Sequence, residues 1–196
     1  MGLQEVLEFA HQRQALLKTQ LVKDLSGRER CMLEIGCGHG DWLVNYAEDH
    51  PTHHCIGIDL LNKRLKKTSR KKEKKELANL ALYKAEAKEF LDCFPPDLFL
   101  EFTFLIYPDP WPKKRHHRRR LVQEPFLSKL AEKTIAGGMF YFRSDHLPYF
   151  EWSLEHLSNH SDWEVQTSAP WPYEHETFFQ KLNPKHYSLV AKRLPV

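Results

Sequence analysis

Hydrophobic residues recur along this chain with two alternating spacings. Short apolar runs typical of buried strands alternate with stretches in which apolar residues recur every three or four positions, as in amphipathic helices. The predicted strands are 31–35, 55–59, 80–85, a strand within 98–107, 139–143, 163–167 and 186–192; the predicted helices are 3–24, 41–49, 62–76, 88–93, 125–136 and one following Asp145. This alternation predicts an α/β fold with a mostly parallel sheet and helices on both faces.

No internal repeat and no linker-like segment interrupts the pattern. A chain of 196 residues is long enough for one domain with a sizeable core. We therefore expect residues 1–196 to form a single domain, with an amino-terminal helix within residues 1–27. Gly137-Gly138 is expected to lie just past the end of the helix predicted for 125–136.

The cysteine spacing and the lack of recognisable targeting signals limit which classes of protein this sequence fits. The four cysteines show no Cys-x-x-Cys spacing, which argues against a zinc site or a disulfide framework and fits a reducing cytoplasm. The histidines show no metal-ligand spacing. Neither a signal-peptide pattern nor an apolar run long enough to span a membrane is evident. We expect a cytoplasmic protein that binds no metal.

The loop after the first strand carries glycines at 36, 38 and 40, in the spacing Gly-x-Gly-x-Gly rather than that of a dinucleotide fingerprint. It resembles the first motif of S-adenosylmethionine-dependent methyltransferases. Asp59, at the end of the second strand, is placed to accept hydrogen bonds from the ribose hydroxyls of an adenosine cofactor. Glu34 is placed to meet the methionyl ammonium. The alternative is a glycine-rich turn with two unrelated acids.

Glu86 follows the third strand. Its carboxylate is positioned to accept a hydrogen bond from the adenine amino group. The alternative, an acid that only stabilises the amino terminus of the next helix, is the stronger interpretation for this residue alone.

Residues 108–120 read Pro-Asp-Pro-Trp-Pro-Lys-Lys-Arg-His-His-Arg-Arg-Arg. Two prolines should hold Asp109 and Trp111 rigidly, because proline fixes φ and removes a backbone donor. A fixed carboxylate beside an aromatic ring and a basic arm suits an enzyme that acts on a nucleic-acid base. The alternative is a strand-ending turn with a solvated basic loop.

Together these segments closely resemble the bacterial tRNA (guanine-N7)-methyltransferases, from about residue 31 to the end. The motifs are Glu34-Ile-Gly-x-Gly-x-Gly40, Gly57-Ile-Asp59, the segment 108–123, Gly137-Gly138, Ser144-Asp145 and Glu176-Thr-Phe-Phe-Gln-Lys181. The resemblance implies a Rossmann-like class I methyltransferase fold with a seven-stranded sheet. It also implies S-adenosyl-L-methionine as methyl donor, S-adenosyl-L-homocysteine as product, and a guanine of the tRNA variable loop as acceptor.

The resemblance assigns a role to each matching residue. Asp109 is the expected catalytic residue. The cofactor side comprises Glu34, Gly36, Gly38, Gly40, Asp59, Glu86 and Asp109, and the substrate side comprises Lys113, Asp145, Thr177, Phe178, Phe179 and Gln180. The expected tRNA phosphate contacts are Lys114, Arg115, Arg118, Arg119 and Arg120, since arginine's planar fork suits phosphate.

The chemistry of guanine N7 explains these residue types. N7 carries a lone pair and no proton, so its methylation needs no general base. Asp109 and Asp145 are expected to accept hydrogen bonds from the N1–H and amino group of guanine, with Asp145 also capping the following helix. Trp111 or Tyr107 is expected to stack on the extruded base.

Two basic clusters support a tRNA partner despite a net charge of only +3. Nine of the 29 Lys and Arg lie in 63–76 and six in 113–120. A helix such as 63–76 is more often a solvated surface, but we favour an auxiliary tRNA contact. No membrane association or obligate protein partner is implied, and a monomer and a homodimer are both compatible with the sequence.

The chain departs from the family pattern at three places. Gln180 stands where the last motif usually has glutamate, Glu86 stands where aspartate is usual, and only about 30 residues precede the glycine loop. Two alternatives therefore stay open. One is a methyltransferase acting on another RNA or DNA base, and the other is a catalytically decayed, RNA-binding methyltransferase fold.

Overall fold

The computed structural model describes residues 2–175 and 185–195. Within these ranges seven strands form one sheet: β1 Arg30–Ile35, β2 Cys55–Asp59, β3 Leu80–Lys84, β4 Phe99–Ile106, β5 Thr134–Ser144, β6 Trp163–Val165 and β7 Tyr187–Arg193. The strand order is β3-β2-β1-β4-β5-β7-β6. Strands β1 to β5 pair in parallel, and β7 pairs antiparallel with both β5 and β6. The predicted mostly parallel α/β sheet is confirmed.

Helices cover both faces of this sheet. They are α1 Leu3–Asp24, α2 Asp41–Asp49, α3 Asn62–Lys74, α4 Ala87–Cys93, α5 Glu124–Lys133 and α6 Leu147–Ser158, with a 3₁₀ helix at Lys114–Arg119. One buried cluster joins the sheet to α1, α4, α5 and α6, and a second joins its other face to α2 and α3. Among the described helices, none is both long and apolar enough to cross a membrane.

Strand β1 shows how the sheet is buried on both faces. Leu33 and Ile35 belong to the first cluster, whereas Met32 belongs to the second, as the two-residue period of a strand requires. Glu34 alternates to the same face as Met32 and is only 4% exposed. A central strand whose other buried residues are apolar therefore carries one buried carboxyl group.

The boundary between α5 and β5 differs from the prediction. Residues 134–136 were expected to continue the helix, but β5 already begins at Thr134. Thr134 pairs with Leu100 and Met139 pairs with Phe102, so the register shifts between them. Gly137 lies within this irregular stretch and has φ +81°. The two glycines therefore serve a bulge in the strand, which needs a positive φ, rather than the end of a helix.

The strand order brings the loops that follow four strands to one edge. β1 pairs with β2 on one side and with β4 on the other. The chain therefore adds β2 and β3 on one side of β1, and then crosses to the other side to add β4 and β5. The loops after β1, β2, β3 and β4 therefore surround the crevice outside the carboxyl ends of β1 and β4. Such a switch point is where open α/β sheets bind ligands.

The glycine loop after β1 packs tightly against α3. Gly40 has φ +72°, and a Cβ placed there would lie 2.3 Å from Cγ2 of Thr68. The Thr68 hydroxyl donates a hydrogen bond to the Gly38 carbonyl at 3.1 Å. Only glycine fits at position 40, because both the backbone conformation and the contact exclude a side chain.

We predict that Gly40→Ala destabilises the protein by about 1–3 kcal/mol more than Gly36→Ala, because only the first substitution adds a steric overlap. Gly36 is a matched control, since it has φ +75° and no atom within 4 Å of the added Cβ. Urea denaturation of both variants measures the difference. Equal destabilisation would contradict the proposed contact with Thr68.

Candidate active site

Two adjoining cavities occupy the crevice at the carboxyl edge of the sheet. The first cavity has a volume of about 460 Å³ and the second about 450 Å³. Asp59, Glu86 and Trp111 line the first cavity, and Glu34 and Gly38 line the second. Both cavities are lined by Gly36, Leu61, Arg64, Ile106, Tyr107 and Asp109. The two cavities therefore form one continuous crevice, which brings together Glu34, Asp59, Glu86 and Asp109.

Asp59 connects the glycine loop to the turn after β2. Its Oδ2 accepts a hydrogen bond from the Gly38 N–H at 3.0 Å, and its Oδ1 accepts one from the Leu61 N–H at 2.7 Å. The residue is 4% exposed, and Arg64 Nη1 lies 3.7 Å from Oδ2. Each oxygen has a second lone pair, so the same group that fixes the loop can also accept a bond from a ligand hydroxyl.

Glu34 is buried beneath the second cavity with one oxygen unused. Among the described residues, its Oε2 has no hydrogen-bond partner. Burial, together with the nearby carboxylates of Asp59 and Asp41, raises the pKa of Glu34 to about 8. A buried, unsatisfied carboxyl oxygen is costly, and a cationic ligand group would remove that cost by favouring the ionised form.

Glu86 is the N-cap of α4. Its Oε2 accepts hydrogen bonds from the N–H groups of Lys88 at 2.8 Å and Glu89 at 3.1 Å. The alternative weighed for this residue, a helix-capping acid, is therefore what the structure contains. The residue is exposed and lines the first cavity, so the capping role leaves acceptor capacity on the carboxylate for a ligand.

The turn 108–111 brings Asp109 to the boundary of the two cavities. Tyr107 and Trp111, which flank it, have φ of +51° and +45°, a conformation that bulky residues rarely adopt. Tyr107 is anchored by its N–H, which donates to the Arg143 carbonyl at 2.8 Å. Backbone strain of this kind is typical of positions held for function. Tyr107 lines both cavities and Trp111 the first.

Arg120 holds this turn in place and is not available to solvent. Its Nε donates to the Pro110 carbonyl and its Nη1 to the Pro148 carbonyl, both at 3.1 Å. The guanidinium also lies over the rings of Tyr149 and Trp152, and the residue is 2% exposed. The expectation that Arg120 contacts phosphate is thus corrected, because its donors are directed into the protein.

The other basic residues of this segment remain on the surface. Arg119 lines the first cavity, with its guanidinium carbon 4.8 Å from the centre of the Trp111 ring. The exposed members are Lys113, Lys114, Arg115, Arg118 and Arg119. Lys113 is not part of either cavity lining. Of these five side chains, only Arg119 contributes to the lining of the crevice.

The remaining substrate-side residues are only partly described. Thr177, Phe178, Phe179 and Gln180 lie outside the described residues. Asp145 is exposed, and its charge contributes to raising the pKa of Tyr107, after the larger effect of burial. It is not the cap of α6 as expected, because His146 occupies that position and accepts from the Tyr149 N–H through Nδ1 at 3.2 Å.

The segment that leads toward residues 176–184 is anchored to the sheet and to α2. Arg143, buried in β5, makes a bidentate pair with Glu174 at 2.7 and 2.8 Å, and its guanidinium lies 3.9 Å from the centre of the Trp171 ring. The Trp42 indole N–H donates to the Tyr173 carbonyl at 3.2 Å. These contacts keep the chain beside the second cavity. Sequence reasoning missed them, although an arginine inside an apolar strand was a signal.

Sequence reasoning also missed the cations in the second cavity, which are Lys63, Arg64 and Lys67. A helix that directly follows a parallel strand starts at the carboxyl edge of the sheet. The amino-terminal turns of α3 therefore had to lie beside the glycine loop, and that topological signal was available.

Comparisons with known proteins agree with this architecture. A family model described as "Putative methyltransferase" matches residues 28–187. The tRNA (guanine-N(7)-)-methyltransferase of Syntrophotalea carbinolica is 36% identical over 143 residues, 73% of this chain and 62% of that protein. The protein of the same name from Magnetococcus marinus is 34% identical over 82% of this chain and 67% of its own length. The chain thus spans about three fifths of the first relative.

Solved structures resemble this fold at low sequence identity. The 16S rRNA methyltransferase KamB has a TM-score of 0.64 and 18% identity, covering 88% of this chain and 92% of its own. TrmN from Thermus thermophilus has a TM-score of 0.61 and 16% identity, covering 90% of this chain and 48% of its own. At such identities the likeness concerns the fold alone, and the predicted class I methyltransferase fold is confirmed.

We predict that Arg120→Ala lowers the free energy of unfolding by about 2–3 kcal/mol, because it leaves two proline carbonyls without their donors and removes the packing against two rings. Arg118→Ala, in the same basic segment but exposed, should change it by less than about 0.5 kcal/mol. Urea denaturation compares the two. An exposed, RNA-facing Arg120 would instead make the variants equally stable.

We predict a pH-dependent effect of Glu34→Gln on stability. The pKa of Glu34 is about 8 in the folded protein against an ordinary value of 4.5, so only the folded protein keeps this proton between those values. The stabilisation that protonated Glu34 gives the folded protein is fully present below pH 4.5 and is lost as pH rises to 8. From pH 5 to pH 8 the variant should gain roughly 2–4 kcal/mol relative to the unsubstituted protein, at about 1.36 kcal/mol per pKa unit.

Urea denaturation at three pH values measures this gain. Glu8→Gln, on the exposed surface of α1, controls for the general loss of a carboxylate. A constant difference between Glu34→Gln and the unsubstituted protein across the range would disprove the burial argument.

Proposed function

Since the chain belongs to this methyltransferase family, we propose that it transfers the methyl group of S-adenosyl-L-methionine to N7 of a guanine in the variable loop of tRNA. The relatives named tRNA (guanine-N(7)-)-methyltransferase supply the substrate and the atom. Because the chain spans only part of their length, both remain part of the proposal. A cytoplasmic site of action follows from the choice of tRNA as substrate.

One observation carries the proposal: Asp109 lines both cavities, and the cavities otherwise differ in character. Apolar side chains of Ile58, Ala85 and Leu105 dominate the walls of the first, which suits a flat aromatic ring. The second is lined by Glu34 and by cations of α3. A carboxylate at their common boundary is where a positively charged methyl donor and an acceptor base would meet.

The residues of the crevice fit S-adenosyl-L-methionine, which when bound supplies an electrophilic methyl group on a positively charged sulfur. Glu34 offers a buried oxygen without a partner in the described residues, suited to an ammonium group. Gly36 has open space where a side chain would stand, so its backbone can be approached closely. Asp59 and Glu86 each retain acceptor capacity for ribose hydroxyls and an adenine amino group.

The acceptor atom determines what the protein must do. Guanine N7 has a lone pair and no proton, so no side chain has to remove one. Holding N7 in line with the methyl group can supply about 7–11 kcal/mol of the barrier. The purine becomes positively charged, and a carboxylate at 4 Å would interact with it by about 4 kcal/mol at an effective dielectric of 20, before desolvation costs. Asp109 is the residue to which we assign this role.

Discrimination against adenine is assigned to the acidic residues at the entrance. Asp109 and Asp145 are proposed to accept from the N1–H and amino group of guanine. Adenine has no donor at N1, so carboxylates there would remain unsatisfied. Trp111 and Tyr107 offer ring faces for an extruded base. Burial raises the pKa of Tyr107 to about 12, so its hydroxyl keeps its proton near neutral pH.

The exposed basic residues at the entrance are assigned to the tRNA backbone. Lys114, Arg115, Arg118 and Arg119 are proposed to contact phosphates, and Lys113 the substrate nucleotide. Arginine and lysine bind phosphate through charge-assisted hydrogen bonds. Arg120 is left out of this set because it supports the turn that carries Asp109. Thr177–Gln180 retain their proposed role on the substrate side.

We predict that Asp109→Asn lowers the rate of tRNA methylation about 10²–10³-fold without unfolding the protein, because an amide keeps the shape and loses the charge. Asp97→Asn is the matched control, as Asp97 is exposed and precedes the amino end of β4. The assay uses labelled S-adenosyl-L-methionine and bulk tRNA, followed by strand cleavage at N7-methylated guanines.

Two results would count against the proposal. Full activity of Asp109→Asn would remove the residue from the chemistry. Label incorporated by the unsubstituted protein without cleavable N7-methylguanine would indicate another acceptor atom, such as an exocyclic base amine.

A further inference from the structure

The basic helix α3 has two rows of cations with different environments. The inner row contacts acidic groups of neighbouring elements: Arg64 lies near Asp59, and Lys71 and Lys75 pair with Asp41 and Glu48 of α2. The outer row consists of five exposed residues, Lys63, Lys66, Lys67, Arg70 and Lys74. Within the described residues, none of these five makes an ion pair.

The outer row forms a continuous stripe. At 3.6 residues per turn, its members fall within an arc of about 100°, and at 1.5 Å per residue they extend over about 16 Å. The stripe starts inside the candidate site, because Lys63 and Lys67 line the second cavity together with Asp109. It then runs outward along α3, away from the glycine loop.

No ion pair in the described part of the fold offsets this arrangement. Like charges stand at i,i+4 in the pairs 63/67, 66/70 and 70/74, and such pairs destabilise a helix. The first turn contains no acidic residue but includes Lys63, which faces the positive end of the helix dipole. The contacts that hold α3 on the sheet come instead from buried Leu65 and Thr68 and from the inner row. The outer row therefore weakens the helix unless an anion neutralises it.

We propose that the outer row of α3 is a docking surface for the tRNA phosphate backbone, which guides the strand that carries the methylated guanine to the crevice beside Asp109. This inference rests on the proposed function and extends it to a surface outside the Pro108–Arg120 segment. Charge complementarity selects the occupant, since phosphates recur along a strand and lysine binds them as a point charge. Because Lys63 and Lys67 of the outer row also line the second cavity, the substrate RNA is a better candidate occupant than an unrelated polyanion.

The test compares two triple variants of the full chain that have the same reduction in charge. Lys66→Gln/Arg70→Gln/Lys74→Gln removes the outer row beyond the cavity. Lys18→Gln/Lys23→Gln/Lys192→Gln is the matched control: these lysines are exposed, and Lys192 pairs with Met139 at the far end of the sheet. The readouts are the salt dependence of the Kd for a tRNA transcript, KM and kcat for methylation, and the midpoint of thermal unfolding.

The outer-row variant should bind tRNA at least tenfold more weakly at low salt. The slope of log Kd against log salt should become shallower by about two, at roughly 0.7 for each phosphate that is no longer neutralised. The effect should fall on KM for tRNA rather than on kcat. Thermal stability without RNA should be unchanged or higher, because like-charge repulsion is relieved. The control triple should match the unsubstituted protein in every readout.

Several outcomes would overturn the inference. They are an unchanged salt slope in the outer-row variant, an equal weakening in the control triple, a fall in kcat at unchanged tRNA affinity, or a loss of binding to anionic phospholipid vesicles with tRNA binding intact. Failure of the proposed function looks different. In that case the unsubstituted protein would not methylate N7, while the difference in salt slope between the two triples would still decide whether α3 binds tRNA.

Discussion

Parallel pairing of β1 with both β2 and β4 is the constraint on which the site depends. It places the ends of four strands at one edge, so that Gly36, Asp59, Glu86 and Asp109 meet although they are far apart in sequence. Asp59 then fixes the geometry, since its two oxygens hold the Gly38 and Leu61 N–H groups. A loop that is already hydrogen-bonded loses little conformational entropy when it binds a ligand, and such preorganisation favours both affinity and catalysis.

The basic residues near the crevice fall into two groups, buried ones that support the fold and exposed ones that are available for contacts. Two of the buried arginines support segments beside the crevice: Arg120 holds the turn of Asp109, and Arg143 holds the segment around Glu174. Arg120 donates from Nε and Nη1 to two backbone carbonyls, and Arg143 makes a bidentate pair with Glu174, geometries that a planar guanidinium supports well. The exposed cations of the two basic clusters lie instead on α3 and on or next to the 3₁₀ helix, and some of them line the crevice. Under the proposed function, the buried acids would tolerate a positively charged purine and the exposed cations would attract RNA.

Much of the fold followed from periodicity, and the exceptions have identifiable causes. Helix and strand boundaries agreed closely for 41–49 and 55–59, where a glycine loop and a buried run mark the ends. The predicted end of α5 was wrong because a glycine such as Gly137 is typical both of a helix end and of a strand bulge. Only the pairing of β5 with β4 distinguishes the two. Arg120 was misassigned because a run of basic residues does not reveal which member points inward. The cap of α6 shifted by one residue, from Asp145 to His146, since both are polar residues before a helix.

The sequence by itself determined the α/β class, the glycine loop with its acidic partners, and the Pro-Asp-Pro-Trp turn, because these depend on local chemistry and on short-range periodicity. Tertiary structure alone decided that Asp109 borders two cavities, that Arg120 is buried against Pro110 and Pro148, and that α3 turns one row of cations outward. Such outcomes depend on contacts between residues distant in sequence. No local pattern encodes them, because the burial of a side chain is set by whichever element packs against it.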